Sequence, residues 1–180
     1  GGGDYLLGPD VDYETFLVSE TNGSWGKAIT PPGMATLNTD GYAWAAPNSI
    51  SCAAPGDCAA GGFYIHDDIE HAFVVGETNG SWSNAIEVPG LATLGSDYHA
   101  SVESVSCAAA GECVAGGYYT GRGEHAFVVG ETNGSWGNAI EVPGLATLNP
   151  GRFAVVGSIS CAAAGECAAG GSVTPRGHPL

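Results

Sequence analysis

The sequence predicts an all-β fold built from repeated four-stranded units. Residues 71–94 (HAFVVGETNGSWSNAIEVPGLATL) recur at 125–148 with one difference, and residues 15–37 match both segments more loosely. A second motif occurs between these copies, as SISCAAPGDCAAGG from Ser49, SVSCAAAGECVAGG from Ser104 and SISCAAAGECAAGG from Ser158. Repetition at this spacing is typical of arrays in which each unit buries its apolar face against the next one.

Composition supports this class and limits the partners. The 30 glycines, with short runs of Val, Ile, Thr, Ala and aromatic residues, suit short strands joined by tight turns. The 19 acidic residues against 4 Lys and Arg give a net charge of -15. Because such a surface repels phosphate, we expect no nucleic-acid partner. No apolar run approaches the ~18 residues that cross a bilayer, so we expect no membrane span.

The cysteines occur as three close pairs, namely Cys52/Cys58, Cys107/Cys113 and Cys161/Cys167. The intervening AAPGD or AAAGE supplies glycine and an acidic residue for a turn, which sets two strands antiparallel with the Cα atoms about 5.5 Å apart. Zinc is the alternative reading, but no histidine recurs near each pair to complete a ligand set. We therefore predict three disulfides, and with them a secreted or cell-surface location.

The unit around Ser104 illustrates the expected strand order. Four strands are predicted for it, over residues 102–108, 112–119, 125–132 and 135–142. The Asn133-Gly134 pair predicts a type I′ hairpin turn between the last two strands, because both central positions of that turn need positive φ. The predicted units cover residues 49–90 and 104–144, with another divided between 13–33 and 158–173.

These units resemble kelch-type β-propeller blades. A kelch repeat has a double glycine at the end of its second strand, a tryptophan at the start of its fourth strand and a proline near the end of that strand. The matching residues here are Gly61-Gly62, Trp82 and Pro89 in one unit and Gly116-Gly117, Trp136 and Pro143 in the next. The SxSC…GxCxAGG motif is also similar to those of secreted repeat proteins of actinobacterial type. The resemblance covers most of the chain and implies β-propeller-like stacking of the blades.

The order of the strands suggests a closed assembly. The chain opens with strands three and four of a blade (Phe16 to Thr30) and closes with strands one and two (Ile159 to Ser172). Joining these halves would complete a third blade and protect its edges. Because propellers have about four to eight blades, we expect a homodimer that exchanges its halves into a six-bladed ring. The alternative is a self-closed, β-prism-like monomer of three sheets.

A ligand-binding face is expected where the repeats differ. The loops after strands two and four vary between units, whereas the disulfide turns and Asn-Gly turns on the other face are nearly constant. Variable loops on a fixed scaffold are typical of binding sites. The candidate ligand-binding residues are Tyr42, Trp44, Tyr98, His99, Phe153, Tyr64 and Tyr119. The repeated Trp25, Trp82 and Trp136 are instead expected to pack between sheets.

The sequence contains no motif that predicts catalysis. GxSxG, GxxxxGK and HExxH are absent, and the acidic run 66–71 matches neither an EF-hand nor a zincin spacing. We therefore predict no catalytic residues, no metal and no cofactor. The expected function is a non-catalytic module that binds carbohydrate or an extracellular protein. The alternatives are a structural segment of an extracellular assembly and, because carboxylates are numerous, a propeller hydrolase or lyase.

Overall fold

The computed structural model describes residues 1–7, 12–39, 44–95, 99–148 and 153–174. The strands are β1 (Gly2–Leu7), β2 (Asp12–Leu17), β3 (Glu20–Thr21), β4 (Ser24–Trp25), β5 (Ala45–Ala54), β6 (Asp57–His66), β7 (Ile69–Thr78), β8 (Ser81–Trp82), β9 (Ile86–Glu87), β10 (Ala100–Ala109), β11 (Glu112–Thr120), β12 (Glu124–Thr132), β13 (Ser135–Trp136), β14 (Ile140–Glu141), β15 (Phe153–Ala163) and β16 (Glu166–Thr174). Three short helices are α1 (Met34–Leu37), α2 (Leu91–Leu94) and α3 (Leu145–Leu148).

This content confirms the all-β class. Each helix has only 4 residues, and no helix in the described ranges is long and apolar enough to cross a membrane. We number the repeats one to four along the chain, over residues 1–37, 44–94, 99–148 and 153–174. Repeats two and three are complete, whereas repeats one and four contain only part of the unit.

Each complete repeat is an antiparallel meander. Repeat two has the order β5-β6-β7-β8, and repeat three begins β10-β11-β12. The predicted strands one, two and three are confirmed within a few residues. The predicted fourth strand is instead broken into two short pieces, both of which pair with strand three. It breaks because the Ala139 N–H leaves the sheet and donates to the Pro89 carbonyl of the preceding repeat at 2.7 Å.

The three predicted disulfides are confirmed as Cys52–Cys58, Cys107–Cys113 and Cys161–Cys167. The paired Cα atoms lie 3.9 to 4.0 Å apart, closer than we expected from the sequence. The cysteines face each other directly across strands one and two, and antiparallel strands approach most closely at their non-hydrogen-bonded pairs. At such a pair the backbone N–H of the strand-one cysteine points away from strand two.

The two kinds of turn are held together at one end of each sheet, which we call the constant end (residues 55–56, 79–80, 110–111 and 133–134). Asn133 and Gly134 have φ of 51° and 75°, which confirms the type I′ turn. The Glu112 carboxylate of the disulfide turn accepts the Asn133 N–H at 3.0 Å. Asp57 accepts the Asn79 N–H in the same way, at 3.0 Å. The acidic residue of each disulfide turn therefore fixes the neighbouring hairpin.

The two serines of the SxSC motif join successive repeats. Strand one is the edge of its sheet, so its outward N–H groups need acceptors from elsewhere. Serine hydroxyls of the preceding repeat accept from them in four hydrogen bonds of 2.9 to 3.0 Å, namely Val105 to Ser49, Cys107 to Ser51, Ile159 to Ser104 and Cys161 to Ser106. The motif is thus a hydrogen-bonded ladder between repeats.

The apolar core lies between successive sheets rather than within one of them. The largest cluster joins Val74 and Leu91 of repeat two to Phe127 and Val129 of repeat three. Each strand-three phenylalanine of the complete repeats, Phe73 and Phe127, is fully buried. Trp82 and Trp136 are partly buried against these clusters, as expected. Trp25 differs and is 60% exposed.

The double glycine serves a close approach of two strands. Strand one has a bulge between Val102 and Ser104, opposite Gly116 and Gly117. A Cβ atom on Gly117 would overlap the Ser101 carbonyl oxygen that this bulge brings near. Gly62 and Gly171 meet equivalent carbonyls in their own repeats. A residue without a side chain is therefore required at the second glycine.

Within the described residues, the N-terminal strands do not pair with the C-terminal strands. Strand β2 pairs with β1, where Gly2 and Gly3 face Leu17 and Phe16 as the double glycine of a normal strand two would. This additional double glycine was not predicted from the sequence. In the described residues β15 and β16 pair with each other, and β15 makes a single bridge to β12. The self-closed three-sheet alternative is therefore wrong for this chain, and exchange between two chains, which would require β1 to leave β2, stays a prediction.

Substituting Gly134 by Val tests the hairpin turn. No other atom lies within 4 Å of a Cβ placed on Gly134, so the effect comes from the backbone alone. Left-handed φ costs an ordinary residue roughly 1–2 kcal/mol, and a β-branched residue more. We expect Gly134→Val to lower the free energy of unfolding in urea by at least that amount. The neighbouring exposed change Ser135→Ala should have little effect, and equally small losses from both would contradict the turn assignment.

Removing one ladder hydroxyl tests the contact between repeats. Ser104→Ala leaves the buried Ile159 N–H without its acceptor, which should lower the free energy of unfolding by about 1–3 kcal/mol. The matched control is Ser158→Ala, because Ser158 is the equivalent serine of repeat four and is exposed. Urea denaturation of both variants measures the difference. A loss from Ser158→Ala as large as that from Ser104→Ala would contradict the ladder.

Candidate functional site

The end of the sheets opposite the disulfide turns carries the predicted binding residues. We call it the variable end, made by the loops at residues 67–68 and 121–123 and by Trp44, His99 and Phe153. These three ring residues occupy the same position in repeats two, three and four, each directly before a buried alanine of strand one. Trp44 is 47% and Phe153 52% exposed, and His99 is also exposed. The predicted Tyr42 and Tyr98 lie outside the described residues.

Backbone contacts between repeats fix these rings. His99 forms a parallel bridge with Glu70 of the preceding repeat, and Phe153 forms the equivalent bridge with Glu124. The Glu70 N–H donates to Nδ1 of His99 at 3.3 Å. The His99 N–H in turn donates to the Thr120 hydroxyl at 2.8 Å. His99 and Phe153 therefore each stand beside a strand-three glutamate of the preceding repeat.

Tyr118 connects two repeats at the same end. Its hydroxyl donates to Oε1 of Glu70 at 2.8 Å. Burial raises the pKa of Tyr118 well above its usual range, and the charge of Glu70 raises it further, so the phenol stays a neutral donor. In repeat two this position is Phe63, whose ring meets Trp44 edge to face with centroids 5.8 Å apart. The same position therefore binds the Glu70 carboxylate of the preceding repeat in repeat three and packs against the Trp44 ring in repeat two.

Three carboxylates at this end, Glu70, Glu103 and Glu124, lie close enough to Tyr118 to raise its pKa. Burial raises the pKa of Glu124, and the nearby charge of Glu103 adds to the effect. The Asn48 amide donates to Oε1 of Glu103 at 3.3 Å, across the boundary between repeats two and three. Exposed rings beside acceptor oxygens can stack on an apolar face and accept hydrogen bonds from hydroxyl or ammonium groups. The negative charge of the carboxylates disfavours anionic ligands.

The acidic loop of repeat two forms a tight turn. Asp67 and Asp68 have φ of 51° and 61°, and the side chain of Asp67 is 79% exposed. His66 Nδ1 lies 3.3 Å from the Thr39 hydroxyl. Within the described residues no group of three or more His, Cys, Asp or Glu side chains could hold a metal ion.

Tyr64 and Tyr119, which we predicted at the binding face, are buried instead. They are 3% and 2% exposed, and their rings stack on His71 and His125 with centroids 5.1 and 5.2 Å apart. Burial raises the pKa of Tyr119 to about 12. These rings are therefore not available at the surface, because strand pairing turns them inward toward the histidine on strand three.

A glutamate completes each of these stacks. Tyr64 donates to Oε2 of Glu87 at 3.2 Å, and Nδ1 of His71 lies 3.4 Å from Oε1 of the same carboxylate. Tyr119, His125 and Glu141 repeat this arrangement in the next unit. The sequence analysis missed these clusters, although the repeated His and the Glu of IEVPG were visible. Each cluster ties strands two, three and four together.

The sequence analysis also missed two buried carboxyls near the constant end. Glu77 and Glu131, from the repeated ETNG motif, are 4% and 6% exposed. Burial raises the pKa of both, and the charge of Glu112 raises that of Glu131 further. Oε1 of Glu77 accepts from the Ser19 hydroxyl at 3.3 Å. Glu77 also lines a cavity of about 290 Å³ together with Trp25 and Ile50.

No protein-family model matches the chain, and no curated protein shows significant similarity to it. The geometry of the variable end therefore carries the functional argument.

Neutralising Glu131 tests its burial. A carboxyl whose pKa is raised in the folded state destabilises the fold when it ionises, so stability is lost as pH rises above its ordinary pKa of 4.5. We expect Glu131→Gln to be more stable than the parent at pH 7, with the difference disappearing toward pH 4. Urea denaturation across this range measures it. The control is Glu20→Gln at the equivalent but exposed position of repeat one, and a gain that does not depend on pH would contradict the prediction.

Proposed function

We propose that this chain is a secreted, non-catalytic binding module that recognises carbohydrate or an extracellular protein through its variable end. The observation that carries the proposal is the exposed ring at the same position of three repeats, Trp44, His99 and Phe153. The segments that precede these rings differ in sequence between repeats, and variable loops on a common scaffold are where binding residues are expected. Three equivalent sites suit a ligand with repeated units, because weak contacts then add by avidity.

Charge narrows the class of ligand. With a net charge of -15, the protein should discriminate against sulfated, phosphorylated or other acidic ligands. Neutral glycans offer apolar faces for stacking and hydroxyl groups for the carboxylates of Glu70 and Glu103. A basic protein segment offers cations for the same carboxylates and for the exposed ring faces. A neutral glycan or a basic protein segment is therefore the ligand we propose.

Location and family belong to the same proposal. Three disulfides fit an oxidising, extracellular environment. The positions of the double glycine, Trp136 and Pro143 support a kelch-like repeat, and the stacking of four-stranded units supports a propeller-like arrangement. Closure into a six-bladed ring through a homodimer remains part of this hypothesis.

A structural role is the second candidate. The serine ladder joins repeat two to repeat three and repeat three to repeat four through backbone N–H groups, and such contacts are suited to building an extended array. In this reading, copies of the unit assemble without a separate ligand. Assembly into filaments or rings in the absence of any glycan or protein ligand would favour it.

Removing single rings tests the binding proposal. A glycan array and a set of basic peptides identify the ligand, light scattering on the same sample gives the mass, and calorimetry measures affinity. We expect Trp44→Ala and Phe153→Ala each to weaken binding about tenfold, the effect of losing roughly 1.4 kcal/mol. Trp25→Ala is the matched control, because Trp25 is an exposed tryptophan near the constant end.

Three outcomes would contradict the proposal. The first is the absence of binding on every array, and the second is a loss of affinity from Trp25→Ala as large as that from the other variants. Turnover of a bound glycan that is abolished by a single carboxylate change would favour the hydrolase or lyase alternative instead.

A further inference from the structure

We propose that the outer edge of β16 and the cavity beside it form an acceptor groove for an extended strand that carries a phenylalanine, of the kind that forms strand three in this protein. The cavity has a volume of about 220 Å³. Repeat three lines one side with Ala126, Val142 and Leu145, and repeat four lines the other with Val156 and Ala169. This site is distinct from the variable end, so its test does not depend on ligand binding there.

The preceding interface shows what fills such a space. Each of these five lining residues has a counterpart one repeat earlier, and the counterparts are Ala72, Val88, Leu91, Val102 and Ala115. All five counterparts belong to the buried cluster that surrounds Phe127. Phe127 itself is fully buried there. The cavity is therefore the space that a strand-three phenylalanine occupies in a complete interface.

The edge of β16 supplies the backbone half of the site. Strand β11 pairs with β12 along this edge, where Gly116 faces Val128 and Gly117 faces Phe127. Strand β16 has the same double glycine, but within the described residues it pairs only with β15. Its residues from Glu166 to Val173 are all exposed. Such an edge presents unpaired N–H and C=O groups that can bind an added strand.

The residue pattern of β12 defines which strand the groove can accept. Its alternate residues Phe127 and Val129 face repeat two, whereas Ala126 and Val128 face repeat four. An occupant must therefore alternate in the same way, with phenylalanine opposite Gly171 and an aliphatic residue two positions later. A segment of the type His-Ala-Phe-Val-Val-Gly satisfies this pattern. The structure thus specifies a strand three from a repeat of the same kind.

A synthetic peptide of residues 122–142 is the direct probe. It is titrated by calorimetry into the disulfide-bonded chain, while NMR follows the amide signals of Ala126 and Ala169. We expect saturable binding with shifts at both alanines. A second peptide with Phe127→Ala should bind at least about tenfold more weakly, because the cavity then stays unfilled.

Two variants of the protein localise the site. Ala169→Glu places a charge in the cavity and should abolish peptide binding. The matched control Ala162→Glu is exposed at the disulfide turn of the same hairpin and should bind the peptide normally. Both positions are exposed, so circular dichroism and thermal unfolding should match the parent chain.

The result that would support the groove differs from the results that would overturn it. Self-association of the free chain would support the groove if the peptide displaces it and Ala169→Glu removes it. That result would also identify a second copy as the source of the strand. Equal binding of the two peptides would overturn the proposal. The proposal would also be overturned if the parent chain did not bind the peptide. This result counts when the circular dichroism and disulfides of the parent chain are intact and the chain does not self-associate.

Discussion

The hydrogen bonds from edge-strand N–H groups to serine hydroxyls are the contacts on which the stack of repeats depends. The disulfide lies at a non-hydrogen-bonded pair, so the Cys107 N–H is directed out of its sheet, and Ser51 of the preceding repeat accepts it. Without such an acceptor a buried N–H would cost about 1–3 kcal/mol. The ladder also fixes the register of successive sheets, which sets Phe127 against Ala72 and Leu91 in one cluster.

This constraint separates the two ends of the molecule. At the constant end, Asp57 and Glu112 hold the Asn-Gly turns, so these residues are bound into the scaffold. At the variable end, the strand pairing between repeats reduces to single bridges, such as that of Glu70 with His99, and side-chain hydrogen bonds such as that of Tyr118 to Glu70 add to them. The residue types there can change without disturbing the ladder. Trp44, His99 and Phe153 can therefore differ at one position, and this freedom makes the variable end suitable for recognition.

The same ladder explains why the last sheet offers a receptive surface. The fourth repeat is aligned through Ile159 and Cys161, so β16 is positioned as β11 is in a complete repeat. The cavity beside Ala169 then has the shape of an internal interface that lacks one strand. The ladder positions β16, whereas the phenylalanine fills the cavity. Because these are separate contacts, the groove can exist before a strand binds in it.

The sequence by itself determined the features that depend on local chemistry. Cysteine spacing specified the disulfides, Asn133-Gly134 specified a turn with positive φ, and alternation specified the first three strands of each unit. Only the tertiary structure decided what depends on which strands pair and on how the sheets stack. The Ala139 contact with Pro89 breaks strand four, pairing between strands turns Tyr64 and Tyr119 inward, and β1 takes the place beside β2. Local patterns contain no information on such partners, because each partner is set by how neighbouring sheets stack.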